Sequence, residues 1–536
     1  MKTNFNATLK KLKAVINKFD SESLAVQQHA LKELSGSKLL VNKALLEYHE
    51  CLLFMCAHPN NKQVLDLVEK ELKRIALFLK KSSKTASTFF ENEGLPYSNT
   101  VTRFTPDFLK WLSTNTDLSL RFSSFSDPTL TLNEVLNLTL PTALKATTTA
   151  GLEDKELLEE LGVAPKDYLL FLVNQIERLN DYPLIKDFLF ERLEVYVKLV
   201  PKNDLFSRTY NRIKMKQPFF HDSLLKKFDH QVLLNSKLPA ERSMDAKETA
   251  TLIDVLKNAM ALTARETDPT TFIEPSSLKV FDLERGMSVC IYGMVPDRQL
   301  PYESYVGFTL LKNGFPCSYG GGWVFGKGAN FGMNILESFR GGESGYVMCQ
   351  LLRVYKQAFH LTYIEIEAYQ FGLDNPDGIT SGAFWFYYRY GFRPLDNDLL
   401  KLSNSEFAKI QTKKNYRSSE KTLLKFTESN VALNMEKKIP VRVADITEKI
   451  KILISKKYKN DATLAERKSV ELFLEKTRQP LPQSKDEKAI LNEVALWVNA
   501  FEISDPEKIK IFSQLVFAKT NDLYAYQKLL NQIFEH

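Results

Sequence analysis

Glycine is scarce over most of this 536-residue chain: four of its 21 glycines precede residue 286, and none follows Gly391. The four, Gly36, Gly94, Gly151 and Gly162, each stand where a helix can end. The rest crowd between Gly286 and Gly391, as expected where a backbone turns with positive φ or approaches a ligand closely. Cysteine is equally sparse. The five residues Cys51, Cys56, Cys290, Cys317 and Cys349 are odd in number and lack CxxC spacing, which excludes a disulfide framework and a Cys-based zinc site. They read as small buried hydrophobes in a reducing compartment. Long apolar runs are missing too. Stretches such as Cys51–Ala57 fall far short of the roughly 20 residues that span a bilayer. Residues Met1–Phe19 carry lysines throughout, with no apolar run leading to a small-residue cleavage site. The expectation is a cytoplasmic protein with no membrane span. Neither a GxSxG elbow nor a Cys/His pairing is present, so hydrolysis by a serine or cysteine nucleophile lacks support.

Apolar content of 44% suffices for real cores, and the length implies more than one. Net charge is +7. All of the excess falls in Lys401–His536, with 25 Lys+Arg against 18 Asp+Glu, while the preceding residues balance at 47 against 47. Such a tail can contact RNA, an anionic carrier or a membrane surface, although its acids, interspersed at helical spacing, favour a solvated helix face.

Up to about residue 240 the pattern is helical. Leu65, Val68, Leu72, Ile75 and Leu79 recur at helical spacing, and Thr105-Pro106-Asp107 reads as a helix start. Two His/Asp pairs, His221-Asp222 and Asp229-His230, lie close together, but their spacing fits a polar loop better than a metal site. No metal is expected. From Ser288 the texture becomes β-rich. Ser288–Met294 and Tyr305–Leu311 read as strands, and Asn313-Gly314 as a type I′ hairpin turn. The next strand is expected to bulge at Gly320-Gly321-Gly322. Asn330–Leu336 reads as a further strand, Tyr346–Phe359 as a helix, Tyr363–Ala368 as an alternating strand and Ala383–Tyr390 as an aromatic helix. Beyond Leu400 helices return, with capping boxes expected at Asp445/Glu448 and Ser484/Glu487 and a proline start at Asp505-Pro506. The expected divisions are 1–240 helical, 241–400 α/β and 401–536 helical and basic.

Chemistry concentrates at Arg340-Gly341-Gly342-Glu343-Ser344-Gly345, a glycine-rich turn that opens a helix. Such a turn leaves backbone N–H groups unpaired at the positive end of a helix dipole, a ready site for a phosphate, and Arg340 would add a charged contact.

Over about residues 288–395 the order of elements resembles the GNAT superfamily of acyl-CoA-dependent N-acyltransferases. Its signature loop runs Arg/Gln-x-x-Gly-x-Gly/Ala. Arg340 and Gly345 match its ends, and Glu343 stands in place of the central glycine. A later pattern, Asn-x-x-Ala-x-x-x-Tyr-x-x-x-Gly-Phe, is matched by Ala383, Tyr387, Gly391 and Phe392, with Thr380 replacing the asparagine.

The resemblance implies a mixed-sheet α/β core between all-α regions, an α+β multidomain chain. It implies acetyl-CoA or another acyl-CoA as co-substrate, its arm along Asn330–Leu336 including Asn334 and Ile335, its pyrophosphate on Arg340–Gly345. Tyr387 would be the acid that protonates the departing thiolate, and Glu337, Glu343, Glu365 and Glu367 are candidate bases. The acceptor would be an amine on a small molecule or protein. A carboxylate at 343 repels phosphates unless its side chain points away; otherwise the donor is another acylated carrier or the site is degenerate. In the degenerate case the chain is a non-catalytic interaction or RNA-associated protein.

Overall fold

Lys62–Lys81 buries Val64, Val68, Leu72, Ile75 and Leu79 along one face, and Asn61 caps it by accepting from the Val64 amide. Thr105 likewise caps Pro106–Ser113, as its sequence predicts. These are features of a computed structural model that describes residues 4–149, 151–436 and 438–535. The first 240 residues are not helical throughout, however. Strands β1 (Thr100–Thr102), β2 (Leu118–Phe125) and β3 (Val195–Pro201) form an antiparallel sheet with β3 central. In β3, Val195, Val197 and Leu199 are buried while Tyr196 and Lys198 are half-buried, a period of two inside a region whose dominant period is helical.

The main sheet is mixed and has eight strands: β4 (Lys279–Leu283), β5 (Met287–Tyr292), β6 (Ser304–Lys312), β7 (Phe315–Phe325), β8 (Gly328–Ile335), β9 (Tyr363–Ile366), β10 (Arg393–Pro394) and β11 (Val431–Asn434). Their order is β10-β11-β9-β8-β7-β6-β5-β4. The β6–β7 turn is the expected one, with φ of 46° at Asn313 and 84° at Gly314. The bulge is not where the glycines suggested. It falls at Leu310/Leu311, while Gly320, Gly321 and Gly322 stay in register with Phe308, Gly307 and Val306. Those glycines make room for rings. A Cβ at 320, 321 or 322 would come within 2.9, 2.7 or 3.1 Å of Phe308, Tyr305 or Tyr355.

β4 to β8 form an antiparallel meander, and helix Ser344–Phe359 then crosses over so that β9 runs parallel to β8. That parallel pairing lasts three residues, from Gly328/Tyr363 to Asn330/Glu365. Phe331–Ile335 continue without a β9 partner, so the two strands part toward the turn at Arg340.

The segment after Leu400 is not purely helical either: β11 inserts between β9 and β10. One apolar core runs continuously from Leu9 and Leu12 through the N-terminal helices to Phe331, Leu352 and Leu433 of the sheet and its helices. A second, centred on Trp497 and Phe512, belongs to the helices of 443–535 and joins the sheet at Tyr302 and Phe325. There Asp505 caps its helix as expected, while Ser484 accepts from the Glu487 amide without the return bond of a capping box. Asp445 instead lies three residues inside Val443–Tyr458, accepting from the Arg442 amide. Among the described residues no helix is long and apolar enough to cross a membrane.

Candidate functional site

From the end of β8 the chain passes through a 3₁₀ turn at Glu337–Phe339 and a bend at Arg340–Glu343 into helix Ser344–Phe359. Gly341 has φ of 78° with open space around it, so its glycine is required by conformation. Gly345 is required by proximity: a Cβ there would lie 1.7 Å from the Tyr390 hydroxyl. The amides of Gly341 through Tyr346 find no acceptor among the described residues, and the first bonded amide is that of Val347, donating to the Glu343 carbonyl at 2.8 Å. These unpaired donors lie at the start of the helix, where its dipole is positive; Gly341, Ser344 and Gly345 are at least partly exposed, while Gly342, Glu343 and Tyr346 are buried.

Glu343 keeps its amide in this row but sends its carboxylate the other way. The side chain is fully buried, accepting from Lys312 Nζ, from Arg285 Nε at 2.7 Å and from the Leu225 amide at 2.8 Å. Burial alone would raise its pKa. The charge and hydrogen bond of Lys312, with the Leu225 amide and Arg285, outweigh burial and hold the carboxyl below its ordinary range. As a cofactor-contacting side chain Glu343 is therefore corrected: it anchors the turn from beneath. His221 lies beside this anchor, its Nε2 4.0 Å from Glu343, and its ring stands 5.3 Å from that of His58, which in turn backs Gly342. Burial, reinforced by Lys312, lowers the pKa of both histidines, His221 to about 3.

Arg340 is exposed. Its Nε donates to the Ile335 carbonyl at 3.3 Å, and it sits 3.8 Å from the equally exposed Glu337. Its guanidinium is exposed, as is the carboxylate of Glu337, and Asn334 and Ile335 lie just before them at the end of β8. Ser344, half-buried, opens the helix. From the other side Glu50 and Arg208 hold the 3₁₀ turn, Arg208 bonding both Glu50 at 2.7 Å and Ser338.

Tyr387 lies one helical turn before Tyr390, the residue that touches Gly345, so the helix Ala383–Arg389 adjoins the turn. Its ring packs against Phe371, Phe386 and Phe392, and burial pushes its phenol well above the ordinary value.

The two carboxylates of β9 and its end separate in role. Glu365 accepts from Tyr363 at 2.9 Å and from Asn430 at 2.6 Å, one bond to each oxygen. Glu367 is exposed and accepts only from Asn330, at 2.6 Å. Asn330 and Glu365 stand in register with Trp323 and Tyr305, whose rings stack at 4.4 Å. Burial, then Asp268 and Glu367, pushes Tyr305 up to about 12.

Asn334 and Ile335 thus end β8 a few residues before Arg340–Gly345, beyond the point where β8 and β9 stop pairing, with Glu365 on β9 and Glu367 just after it. Sequence reasoning missed the supports Lys312, Arg285, His58, Arg208 and Tyr390, which come from distant segments. The one available signal was His221, whose pairing with Asp222 was misleading: Asp222 is exposed, Asp229 caps His230–Asn235, and His230 packs on Tyr390. Among the described residues no group of three metal-ligating side chains occurs. No protein-family model matches the chain, and neither a curated protein nor a solved structure matches it.

Proposed function

We propose that the chain is an N-acyltransferase that takes its acyl group from acyl-CoA, or from another acylated carrier, and gives it to an amine. The observation that carries this reading is the row of six unpaired amides placed at the end of a strand that leaves its parallel neighbour. Three further features support it: the strand order with its single parallel pair, the exposed Arg340, and the inward carboxylate of Glu343, which removes the repulsion its sequence position suggested.

In this reading the donor's pyrophosphate lies on the amides of Gly341–Tyr346 with Arg340 beside it. The arm runs along Phe331–Ile335, whose edge β9 leaves open. The amine approaches from the sheet face of Asn330 and loses its proton to a carboxylate, for which Glu367 has unused acceptor capacity and Glu365 little. Its nitrogen attacks the thioester carbonyl, and a backbone N–H of β8 receives the oxyanion. The carbon–sulfur bond then breaks, and Tyr387, whose burial keeps it protonated, supplies the proton to the leaving thiolate.

Calorimetric titration of acetyl-CoA tests this. Arg340→Ala removes a charge-assisted contact and should weaken binding about tenfold. Ser344→Asp puts an acid in the first helical turn, where the helix tolerates it and a phosphate does not, so binding should be lost with folding intact. Wild-type affinity in both variants would refute the reading.

A further inference from the structure

Beside helix Ala383–Arg389, with no lining residue from the turn at Arg340, helices Pro376–Ser381, Asn397–Thr412 and Glu420–Phe426 close around a cleft of about 910 Å³. Its lining mixes apolar side chains, Ile379, Phe386, Ile410 and Leu423, with two arginines, Arg389 and Arg417.

Three observations mark it as a built site. First, Trp385 lines the cleft and is 6% exposed, yet its indole N–H has no acceptor. The ring is clamped by Phe384, Tyr388, Phe407 and Phe426, so it cannot turn to find one. A buried donor left unpaired opposes folding, which marks a place where a further acceptor is missing. Second, neither arginine forms an ion pair among the described residues, although Asp374 and Glu420 share the lining. Third, Arg417 is presented from a fixed loop. The hydroxyls of Tyr416 and Ser418 on either side of it both bond the buried carboxylate of Glu406, at 2.9 and 2.8 Å.

We propose that this cleft binds an anionic amphiphile: a carboxylate or phosphate head held by Arg389 and Arg417, on an apolar body lying over Ile379, Phe386 and Ile410. Free guanidinium groups recognise such heads with paired donors. The apolar wall takes the body out of water. The site is separate from the turn at Arg340, and its ligand does not depend on the acyl-transfer reading.

The full chain is titrated with decanoate, decyl phosphate and decyltrimethylammonium, each below its micelle concentration, with tryptophan emission as the readout. Saturable change with decanoate or decyl phosphate is expected, and which of the two binds tells the head group. The change should vanish in Trp385→Phe. Each of Arg389→Ala and Arg417→Ala should weaken binding about tenfold, and Ile410→Trp should fill the cleft and abolish it. Both arginines are exposed, so an unchanged circular dichroism spectrum certifies those variants. The proposal is overturned if neither anion gives saturable change, if the cation binds as well, if Trp385→Phe keeps the signal, or if the double arginine variant binds like the wild type.

Discussion

Replacing Glu343 by glutamine isolates the anchor beneath the turn. The carboxylate has no solvent exposure and Lys312 has 1%, so the substitution strands a lysine charge in the interior. Removing one partner of a buried pair costs about 3–5 kcal/mol, because the remaining charge is neither solvated nor matched. Arg285, at 14% exposure, reaches solvent and adds less. Glutamine keeps a carbonyl that can still accept from the Leu225 amide, so the loss is chiefly one of charge. The expected cost is therefore about 3–5 kcal/mol. Adding Lys312→Met to Glu343→Gln removes the stranded charge and should recover about half of it.

Unfolding of a chain this long is not one transition, so the assay is hydrogen exchange of the amides in Ser344–Phe359 and in β6 and β7, which reads the local opening free energy. Acetyl-CoA affinity should fall in parallel as the turn loosens. If Glu343→Gln shifts opening by less than about 1 kcal/mol, or if Lys312→Met costs the same with and without it, the pair is not the anchor and the reasoning fails.

Other perturbations follow from the same contacts. His49, His58 and His221 are buried and neutral, with pKa values lowered by burial, His49 and His221 to about 3. An unfolded histidine takes its proton near pH 6.5, so the unfolded chain binds more protons below that value. Stability should fall as pH drops from 6.5, each histidine adding up to about 1.4 kcal/mol per pH unit, and opening free energies from hydrogen exchange at pH 7 and 5 measure it. Gly345→Ala should cost about 1–3 kcal/mol in the same exchange experiment, and Tyr390→Ala in the same chain should relieve the clash; no cost would mean Tyr390 is not in place. A chain stopped after Leu400 loses β11 from between β9 and β10, so it should be recovered insoluble; a soluble product with native strand content would contradict the sheet order.

Local signals in the sequence were read well where the structure that follows from them is also local. The Asn313-Gly314 turn, the caps at Thr105 and Asp505 and the helix after Gly345 all depend on a few adjacent residues, and all are present. Glycines 320–322 misled because a glycine makes room for a ring as readily as it forms a bulge, and the rings of Tyr305 and Tyr355 come from other elements. β11 was invisible because four residues carry too little periodicity to mark a strand; only the partner β9 makes it one. β3 was lost inside a region whose helical spacing dominates.

Glu343 shows why the site was harder to read than the fold. Sequence assigns one residue type to one position and so treats an acid in a phosphate turn as a single repulsive element. The backbone and the side chain of that residue do different things: the amide has no acceptor among the described residues, and the carboxylate meets Lys312 and Arg285 inside. Those partners lie 31 and 58 residues earlier in the chain, and the Leu225 donor 118. An inward carboxylate fixes the position of the peptide plane next to it, and fixed donors bind an anion without first being ordered. The residue that argued most strongly against an anion at this turn is therefore the one that holds its amides in place. That inversion predicts a specific asymmetry: Glu343→Gly, which removes the carboxylate, should weaken acetyl-CoA binding rather than strengthen it. Tighter binding in that variant would show that the carboxylate opposes the donor after all.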